Sequence, residues 1–374
     1  MTQKKKLLFV LPSLAGGGAE RVIVTLLRHL DRNRYQLSLA AVNMRNAVYL
    51  GDLPGDVELI DLDCKRVRYA LPKLLLLIRG RRPDMVFTTL GHLNLVIALL
   101  KPLLPRHTHY VAREASVVSK VMYLHRWPWL MSYLYRHLYG RFDSVVCQSQ
   151  PMLEDLLQTY VLPSGKAVVI PNPIDLELVR ARSQADIPLL GFKQNCFNVV
   201  AAGRLSPEKG MDLLLQAVSM CGDIPINVVI LGEGPMRQVL ENQVLTLGIG
   251  NRMKFIGFQP NPYSYFAHAD LFVLSSRVEG FPNVVLEALA CGTPVVATPC
   301  TAVLKDILAD GVNGWLAPDI SAGGLAEALR TAFTLPRRVP ALQDLEARFG
   351  VRQVVAQYEQ LLSKVAEVRG PGGG

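Results

Sequence analysis

The sequence of 374 residues contains no apolar run approaching the roughly 20 residues that cross a bilayer. Its longest, such as Leu74 to Ile78 and Leu93 to Leu100, fall well short, so no transmembrane helix is expected. The basic start, Met1 to Lys6, is like the first segment of a signal peptide. The apolar stretch after it, Leu7 to Leu14, is short, holds a proline and runs into Gly16-Gly17-Gly18 and Glu20, so it reads as a first strand. No CxxC pair occurs among the six cysteines, at 64, 147, 196, 221, 291 and 300, and four of them sit inside apolar segments as small core residues do. A reducing cytoplasm fits best. Compositional bias is confined to Arg369 to Gly374, whose Gly-Pro-Gly-Gly-Gly reads as a disordered tail, and no short-period repeat is present.

Net charge is unevenly placed along the chain. Met1 to Arg180 holds 24 Lys and Arg against 14 Asp and Glu, a net of +10, whereas the remainder holds 16 against 17, a net of −1. The front half therefore carries the whole excess. An anionic partner for that half is one reading, be it nucleic acid, an acidic membrane surface or a phosphorylated acceptor; ordinary solubility charge is the other.

Length allows two domains of ordinary size. Strand-like apolar runs alternate with amphipathic stretches from Leu7 to Ile170, as βα units do, and several strands are continuously apolar, as in a parallel sheet covered on both faces. Mixed charge and weak periodicity over Leu176 to Asn195 predict a linker. A second series then runs from the strand Asn198 to Ala202 to the strand Pro294 to Ala297, and a long helical stretch near Leu342 to Val368 closes the chain. The fold class is thus α/β, with two doubly wound sheets in tandem. The expected domains are residues 1–175 and 195–350, with 351–374 a C-terminal helix packing back on the first domain. Ligands of such sheets sit beyond the carboxyl ends of the strands, so two facing sheets would create an interdomain cleft.

Two segments of the second half carry chemistry. Gly203-Arg204-Leu205-Ser206-Pro207-Glu208-Lys209-Gly210 follows a strand and precedes a helix, setting a guanidinium and an ammonium five residues apart. Both can reach one diphosphate, whose charge grows as a glycosidic bond to it breaks, so cations aimed there favour the transition state over the ground state. A solvated βα turn is the plainer alternative. The second segment runs from Glu279-Gly280-Phe281-Pro282-Asn283-Val284 to Glu287. Pro282 suits the first helical position, which predicts unpaired Asn283 and Val284 amides at a positive helix end able to bind phosphate. Glu279 lies before that helix and Glu287 more than a turn inside it, so their carboxylates point at different parts of a ligand. A loop charge at Glu279 and an ordinary helix residue at Glu287 are the plainer alternatives, yet Glu287 sits among Val284, Val285, Leu286, Ala288 and Leu289, where a lone solvated charge is less natural.

These segments, with Ala288-Leu289-Ala290-Cys291-Gly292-Thr293-Pro294-Val295-Val296-Ala297, Gly311-x-Asn313-Gly314 and Gly16-Gly17-Gly18-Ala19-Glu20-Arg21 in order, resemble family 4 of the retaining glycosyltransferases over nearly the whole chain. The resemblance implies a GT-B fold of two facing Rossmann-like domains, with an acceptor-binding first domain and a second that holds the nucleotide sugar. It implies that Arg204 and Lys209 contact the donor diphosphate, Glu279 the transferred sugar and Glu287 the ribose. Gly203, Gly280, Phe281, Asn283 and Val284 would line the donor site, while Gly16, Gly17 and Gly18 would let backbone amides approach the same phosphates. Transfer would retain configuration without a metal or cofactor, the nucleotide diphosphate sugar being a co-substrate. The nominal Asp61-Leu62-Asp63 reads as a solvated strand end.

One departure stands out. Many relatives place a histidine after a middle strand of the first domain, where this chain reads Val111-Ala112-Arg113-Glu114-Ala115-Ser116. Glu114 would orient the acceptor or take its proton; a loop ion pair of Arg113 with Glu114 is the alternative, and His92 is a weaker candidate.

From Lys120 to Arg141, Tyr123, Trp127, Trp129, Tyr133, Tyr135 and Tyr139 are interleaved with Lys120, Arg126, Arg136 and Arg141. That mixture suits a membrane interface and a lipid-linked saccharide acceptor at the cytoplasmic leaflet; packing against the first sheet is the alternative. Other classes fit less well. A dinucleotide oxidoreductase would need a third glycine after Gly16-x-Gly18 where Arg21 stands. A basic nucleic-acid-binding protein would show a recognisable module, and none is present, so no nucleic-acid partner is expected. A sugar-nucleotide epimerase of the same architecture would need no acceptor.

Overall fold

Alternation along β1 (Lys5–Leu11) shows how the front half is built. Leu7, Phe9 and Leu11 enter one buried cluster and Leu8 and Val10 another, so both faces of the strand are covered. The computed structural model describes residues 3–122, 127–160, 162–163, 165–186, 188, 190–335 and 342–367. Tyr123, Arg126, Val368 and the tail from Arg369 lie outside the described residues. Contacts divide the chain into two units, 1–173 with 351–374, and 174–350.

In the first unit β1 is followed by α1 (Gly18–His29), β2 (Tyr35–Ala41), β3 (Glu58–Asp61), α2 (Leu71–Arg81) and β4 (Met85–Thr89). Then come α3 (Gly91–Leu100), β5 (His109–Arg113), α4 (Val118–Met122), α5 (Pro128–Leu138), β6 (Ser144–Cys147), α6 (Gln150–Thr159) and β7 (Ala167–Val169). The strands form one sheet in the order β3-β2-β1-β4-β5-β6-β7, every neighbouring pair parallel.

The second unit opens with α7 (Leu176–Ser183), β8 (Phe197–Ala202), α8 (Met211–Met220), β9 (Ile226–Leu231), α9 (Arg237–Thr246) and β10 (Met253–Gly257). It continues with α10 (Tyr263–His268), β11 (Leu271–Leu274), α11 (Asn283–Ala290), β12 (Val295–Ala297), α12 (Leu304–Ile307), β13 (Gly314–Leu316), α13 (Ala322–Thr334) and α14 (Leu342–Phe349). Its sheet, again all parallel, runs β10-β9-β8-β11-β12-β13. Val199 and Ala201 pack with Leu214, Leu215 and Val218 of α8, while Val200 packs with Val285, Leu286 and Leu289 of α11.

α15 (Val351–Glu367) belongs to the first unit. Val354, Val355, Tyr358, Leu361, Leu362 and Val365 recur at helical spacing and fill the cluster of Leu7, Phe9 and the α1 side chains. Glu359 fixes the helix from outside, accepting from the Asp31 amide at 2.9 Å and pairing with Arg34 at 3.1 Å.

Two expectations change here. The stretch beginning at Leu176 was expected to be a linker, yet its first eight residues form α7, whose start is capped by Asp175 accepting from the Leu178 amide at 3.0 Å. Only Leu176 and Val179 of that helix are buried, which explains the weak periodicity. The closing helix is two helices, broken at Gly350, where Ile174 bridges Gly350 and donates to Phe349 O at 2.8 Å. Among the described residues no helix is long and apolar enough to cross a membrane. All six cysteines are free, and Cys64, Cys147, Cys221 and Cys300 are buried.

Candidate active site

The second sheet reverses its strand order between β8 and β11, and a crevice opens at the carboxyl ends of such a pair. The loops leaving these two strands carry Gly203 to Gly210 and Ser275 to Pro282. Glycines let them close up. Gly210, at φ +61°, lies so near the β11 loop that a Cβ would sit 2.0 Å from Ser275 O, and a Cβ on Gly232 would sit 2.0 Å from Gly203 O. Arg277 then ties the two loops. Its amide donates to Glu208 O at 2.8 Å and its guanidinium to Pro207 O at 2.8 Å, with a two-pronged pair to Asp212 at 2.7 and 2.5 Å. That pairing holds the Asp212 carboxyl below the usual range.

Across this junction Lys209 Nζ donates to Glu279 Oε1 at 2.6 Å. Ser276 Oγ donates to the same oxygen at 2.7 Å, and Ser275 Oγ to Lys209 O at 3.0 Å. The Lys209 and Glu279 side chains are 26% and 11% exposed, so one edge of the pair faces solvent. Arg204 is exposed and forms no ion pair among the described residues. A cation without a carboxylate beside a cation with one is an arrangement able to take up a diphosphate and a sugar at once.

α11 begins one residue later than expected. Pro282 caps it, and Asn283 is its first residue. The Asn283 amide donates to Phe281 O at 3.0 Å, so it is not the unpaired donor that the sequence suggested. Gly280 and Phe281 are buried, with the Phe281 ring 5.9 Å from that of Phe349, while Val284 is half-buried. Glu287 is buried between the apolar residues of α11. Burial and then the neighbouring Glu287 push the Cys291 thiol up.

In the first unit, Gly16 takes φ +105° and Gly17 caps α1, with Gly18 the first helical residue. Glu20 reaches back so that its carboxylate accepts from the Gly17 amide at 2.5 Å and from Ser13 Oγ. This differs from an amide cradle open to phosphate, because Glu20 already occupies the Gly17 donor.

Glu114 follows β5 directly and is enclosed, only 3% exposed. Tyr139 OH donates to its Oε1, Asn94 Nδ2 does so at 3.1 Å, and Gln148 Nε2 donates to its backbone carbonyl at 2.9 Å. Tyr135 stacks on Tyr139 at 4.2 Å, and its hydroxyl crowds Gly91 so closely that no Cβ fits there. Burial pushes the Glu114 carboxyl up to about 8, against opposing pulls from Asn94 and Arg113. Arg113 and Glu114 form no salt bridge; Arg113, fully buried, donates to Thr89 Oγ1 at 3.2 Å and to Asn172 Oδ1. Leu90, joining β4 to α3, holds φ +74°, a conformation costing about 1–3 kcal/mol in a non-glycine residue. His92, the second residue of α3, is exposed. Asp61 ends β3 and Asp63 lies just beyond it, with the Asp61 carboxylate accepting from the Asp63 amide at 2.8 Å.

The family model described as glycosyl transferases group 1 matches residues 185–349, and that described as glycosyltransferase family 4 matches residues 16–178. The chain belongs to glycosyltransferase family 4. This glycosyltransferase is 29% identical over 339 residues to the Campylobacter jejuni N-acetylgalactosamine-N,N'-diacetylbacillosaminyl-diphospho-undecaprenol 4-alpha-N-acetylgalactosaminyltransferase, covering 87% of this chain and 90% of that one. Anabaena HepE in complex with UDP and glucose superposes with a TM-score of 0.77 at 22% identity, covering 96% of this chain and all of that one. Sucrose-phosphate synthase from Thermosynechococcus elongatus gives 0.80 at 19% identity, covering 98% and 100%. The fold of the glycosyltransferase is GT-B.

Lys209 and Glu279, 70 positions apart, are thus brought into contact, and Arg204 and Gly203 share their loop. Gly16, Gly17, Gly18 and Glu114 belong to the other unit. Sequence reasoning missed Ser276, Arg277 and Asp212. The polar run Ser275-Ser276-Arg277 immediately after the apolar β11 was the available signal.

Proposed function

We propose that the chain is a retaining, metal-independent glycosyltransferase that moves a hexosyl or N-acetylhexosaminyl group from a nucleotide diphosphate sugar to a lipid-linked saccharide in the cytoplasm. The observation that carries this is the Lys209–Glu279 contact at 2.6 Å across the strand-order reversal of the second sheet. A sugar diphosphate has an anion joined through one oxygen to an electron-poor anomeric carbon. A cation and a carboxylate in contact match these two parts within a single ligand.

In this reading Arg204 and Lys209 hold the diphosphate and stabilise the charge that it gains on leaving. Glu279 faces the transferred sugar, where a carboxylate stabilises the positive charge that develops at the anomeric carbon. Ser276 fixes its orientation through the 2.7 Å hydrogen bond. Glu287 accepts ribose hydroxyls, and Gly280, Phe281 and Val284 shape the site around them. The second unit is the donor unit and the first the acceptor unit. Glu114, protonated and enclosed, acts as a positioning residue that holds the Leu90-Gly91-His92 turn through Asn94 and the two tyrosines. A lipid-linked acceptor is favoured by the name of the Campylobacter relative, which is a transferase acting on a diphospho-undecaprenol-linked glycan.

The test incubates the purified chain with a panel of labelled sugar nucleotides and a bacterial lipid extract in the presence of a chelator. Label should enter a solvent-extractable lipid, with the donor's anomeric configuration retained on nuclear magnetic resonance of the product. Transfer with inversion, or none from any donor while epimerised sugar nucleotide accumulates, would replace this reading with another.

A further inference from the structure

Three polar residues, Ser275, Ser276 and Arg277, follow the apolar end of β11 at Leu274, and each is tied to something different. Ser275 Oγ donates to Lys209 O at 3.0 Å, and Ser276 Oγ to the Glu279 carboxylate at 2.7 Å. Ser276 is itself held from behind, since Thr298 Oγ1 donates to its carbonyl at 2.5 Å. Arg277 reaches furthest. Its amide and guanidinium donate to the carbonyls of Glu208 and Pro207 at 2.8 Å, and its fork meets both carboxylate oxygens of Asp212, the second residue of α8. Lys209 therefore lies between points fixed at 207, 208 and 212, while Glu279 lies two residues beyond Arg277.

Folding stability does not account for this arrangement. The Arg277 and Asp212 side chains are 37% and 29% exposed, and an ion pair so open to water adds little. What the Arg277 contacts share is their destination, because all of them end between Pro207 and Asp212, on the segment that carries Lys209. Such a tie answers an electrostatic problem. A diphosphate arriving at Lys209 competes with Glu279 for the ammonium, and an untethered turn would follow the stronger charge away from the β11 loop. With its backbone anchored, the Lys209 side chain can swing to the diphosphate while the two loops stay in register.

We propose that Arg277, backed by Asp212, is a positioning residue that holds the Lys209 turn against the Glu279 loop, so that cation and carboxylate keep their spacing when the nucleotide sugar binds. This rests on the roles proposed above for Lys209 and Glu279. In this role Arg277 touches neither donor nor acceptor. Charges aimed at a transition state stabilise it only while their geometry is fixed, so loss of the fork should appear in the chemical step. UDP lacks the sugar that Glu279 faces, so its affinity should depend little on the register of the two loops.

The experiment compares the full-length wild type with Arg277→Ala, Asp212→Asn, the double variant and Arg277→Lys, using the sugar nucleotide that gives transfer in the panel above. For each protein kcat, KM, the affinity for UDP and the melting temperature are measured. Both single variants should lose kcat about tenfold or more, the double variant should lose no more than either single, and Arg277→Lys should lose less than Arg277→Ala. UDP affinity should stay within about threefold of wild type, and melting temperature within about 4 °C, as for a solvent-exposed ion pair. Full kcat in Arg277→Ala, losses that multiply in the double variant, a raised KM with kcat intact, or rates that fall in step with melting temperature would overturn the proposal. A wild type that neither binds UDP or GDP nor turns over any donor would overturn the reading of Lys209 and Glu279, and this proposal with it.

Discussion

At the residue scale, the proposed chemistry rests on the contact between Lys209 and Glu279. In the proposed site, removing the Lys209 ammonium would leave Glu279 beside the incoming diphosphate without its counter-charge. Lys209→Ala and Arg204→Ala are therefore each expected to weaken nucleoside diphosphate binding at least tenfold, about 1.4 kcal/mol, read by calorimetric titration. Glu279→Gln keeps the hydrogen bond from Ser276 and loses the charge. It should leave diphosphate binding within about threefold and lower kcat about a hundredfold or more, as removal of transition-state electrostatics does.

Glu114 makes a different prediction. Its folded value of about 8 stands above the ordinary 4.5, so the folded chain keeps a proton that the unfolded chain releases. The stabilisation is complete below about pH 4.5 and is lost as pH rises towards 8. Melting temperature should fall across that window in wild type and fall less in Glu114→Gln, and equal slopes would remove the protonated acid from the account. The sequence offered Glu114 as a catalytic candidate at a strand end. Its enclosure could not be read there, because Tyr139 and Asn94, which close over it, come from the segment after α5 and from α3, 25 and 20 positions away.

At the scale of elements, close approach matters more than charge. A methyl group on Gly210 would overlap Ser275 O and force a side chain into a left-handed backbone position. Gly210→Ala is expected to cost about 1–3 kcal/mol and to separate Lys209 from Glu279, so stability and diphosphate affinity should fall together. In the cluster under the first sheet, Leu362 of α15 is buried, and Leu362→Ala should cost about 2–5 kcal/mol in denaturant melts without touching the second unit. Which elements exist was legible wherever apolar runs were strong, as in β8 and β12, whose ends fall within one residue of the strands expected at Asn198 to Ala202 and Pro294 to Ala297. It failed at α7, where two buried residues leave too faint a periodicity, and at Gly350, a glycine that was read as part of one helix although it bridges to Ile174 and separates α14 from α15. Helix capping was misjudged at Pro282 for a related reason, since the turn at Phe281 takes up the Asn283 amide.

At the scale of the whole molecule, tandem doubly wound units were visible in the alternation of strands and helices, whereas the GT-B fold rests on the likeness to solved structures. What sequence could not supply was which loops meet. Strand order fixes that, because β8 and β11 are neighbours in the sheet although three helices and two strands intervene along the chain. A net positive charge carried by the first half and a nearly neutral second half fit the proposed division between an acceptor unit and a donor unit. The claim on which everything else depends is that Lys209 and its neighbour Arg204 clamp a diphosphate at the head of the second sheet. Its most direct test is a calorimetric titration of UDP and GDP into the chain and its Lys209→Ala and Arg204→Ala forms, without divalent cations and with Lys305→Ala as a surface control. Binding to wild type and the control, lost or weakened tenfold in the two loop variants, is the predicted result; equal affinity in all four proteins would contradict it.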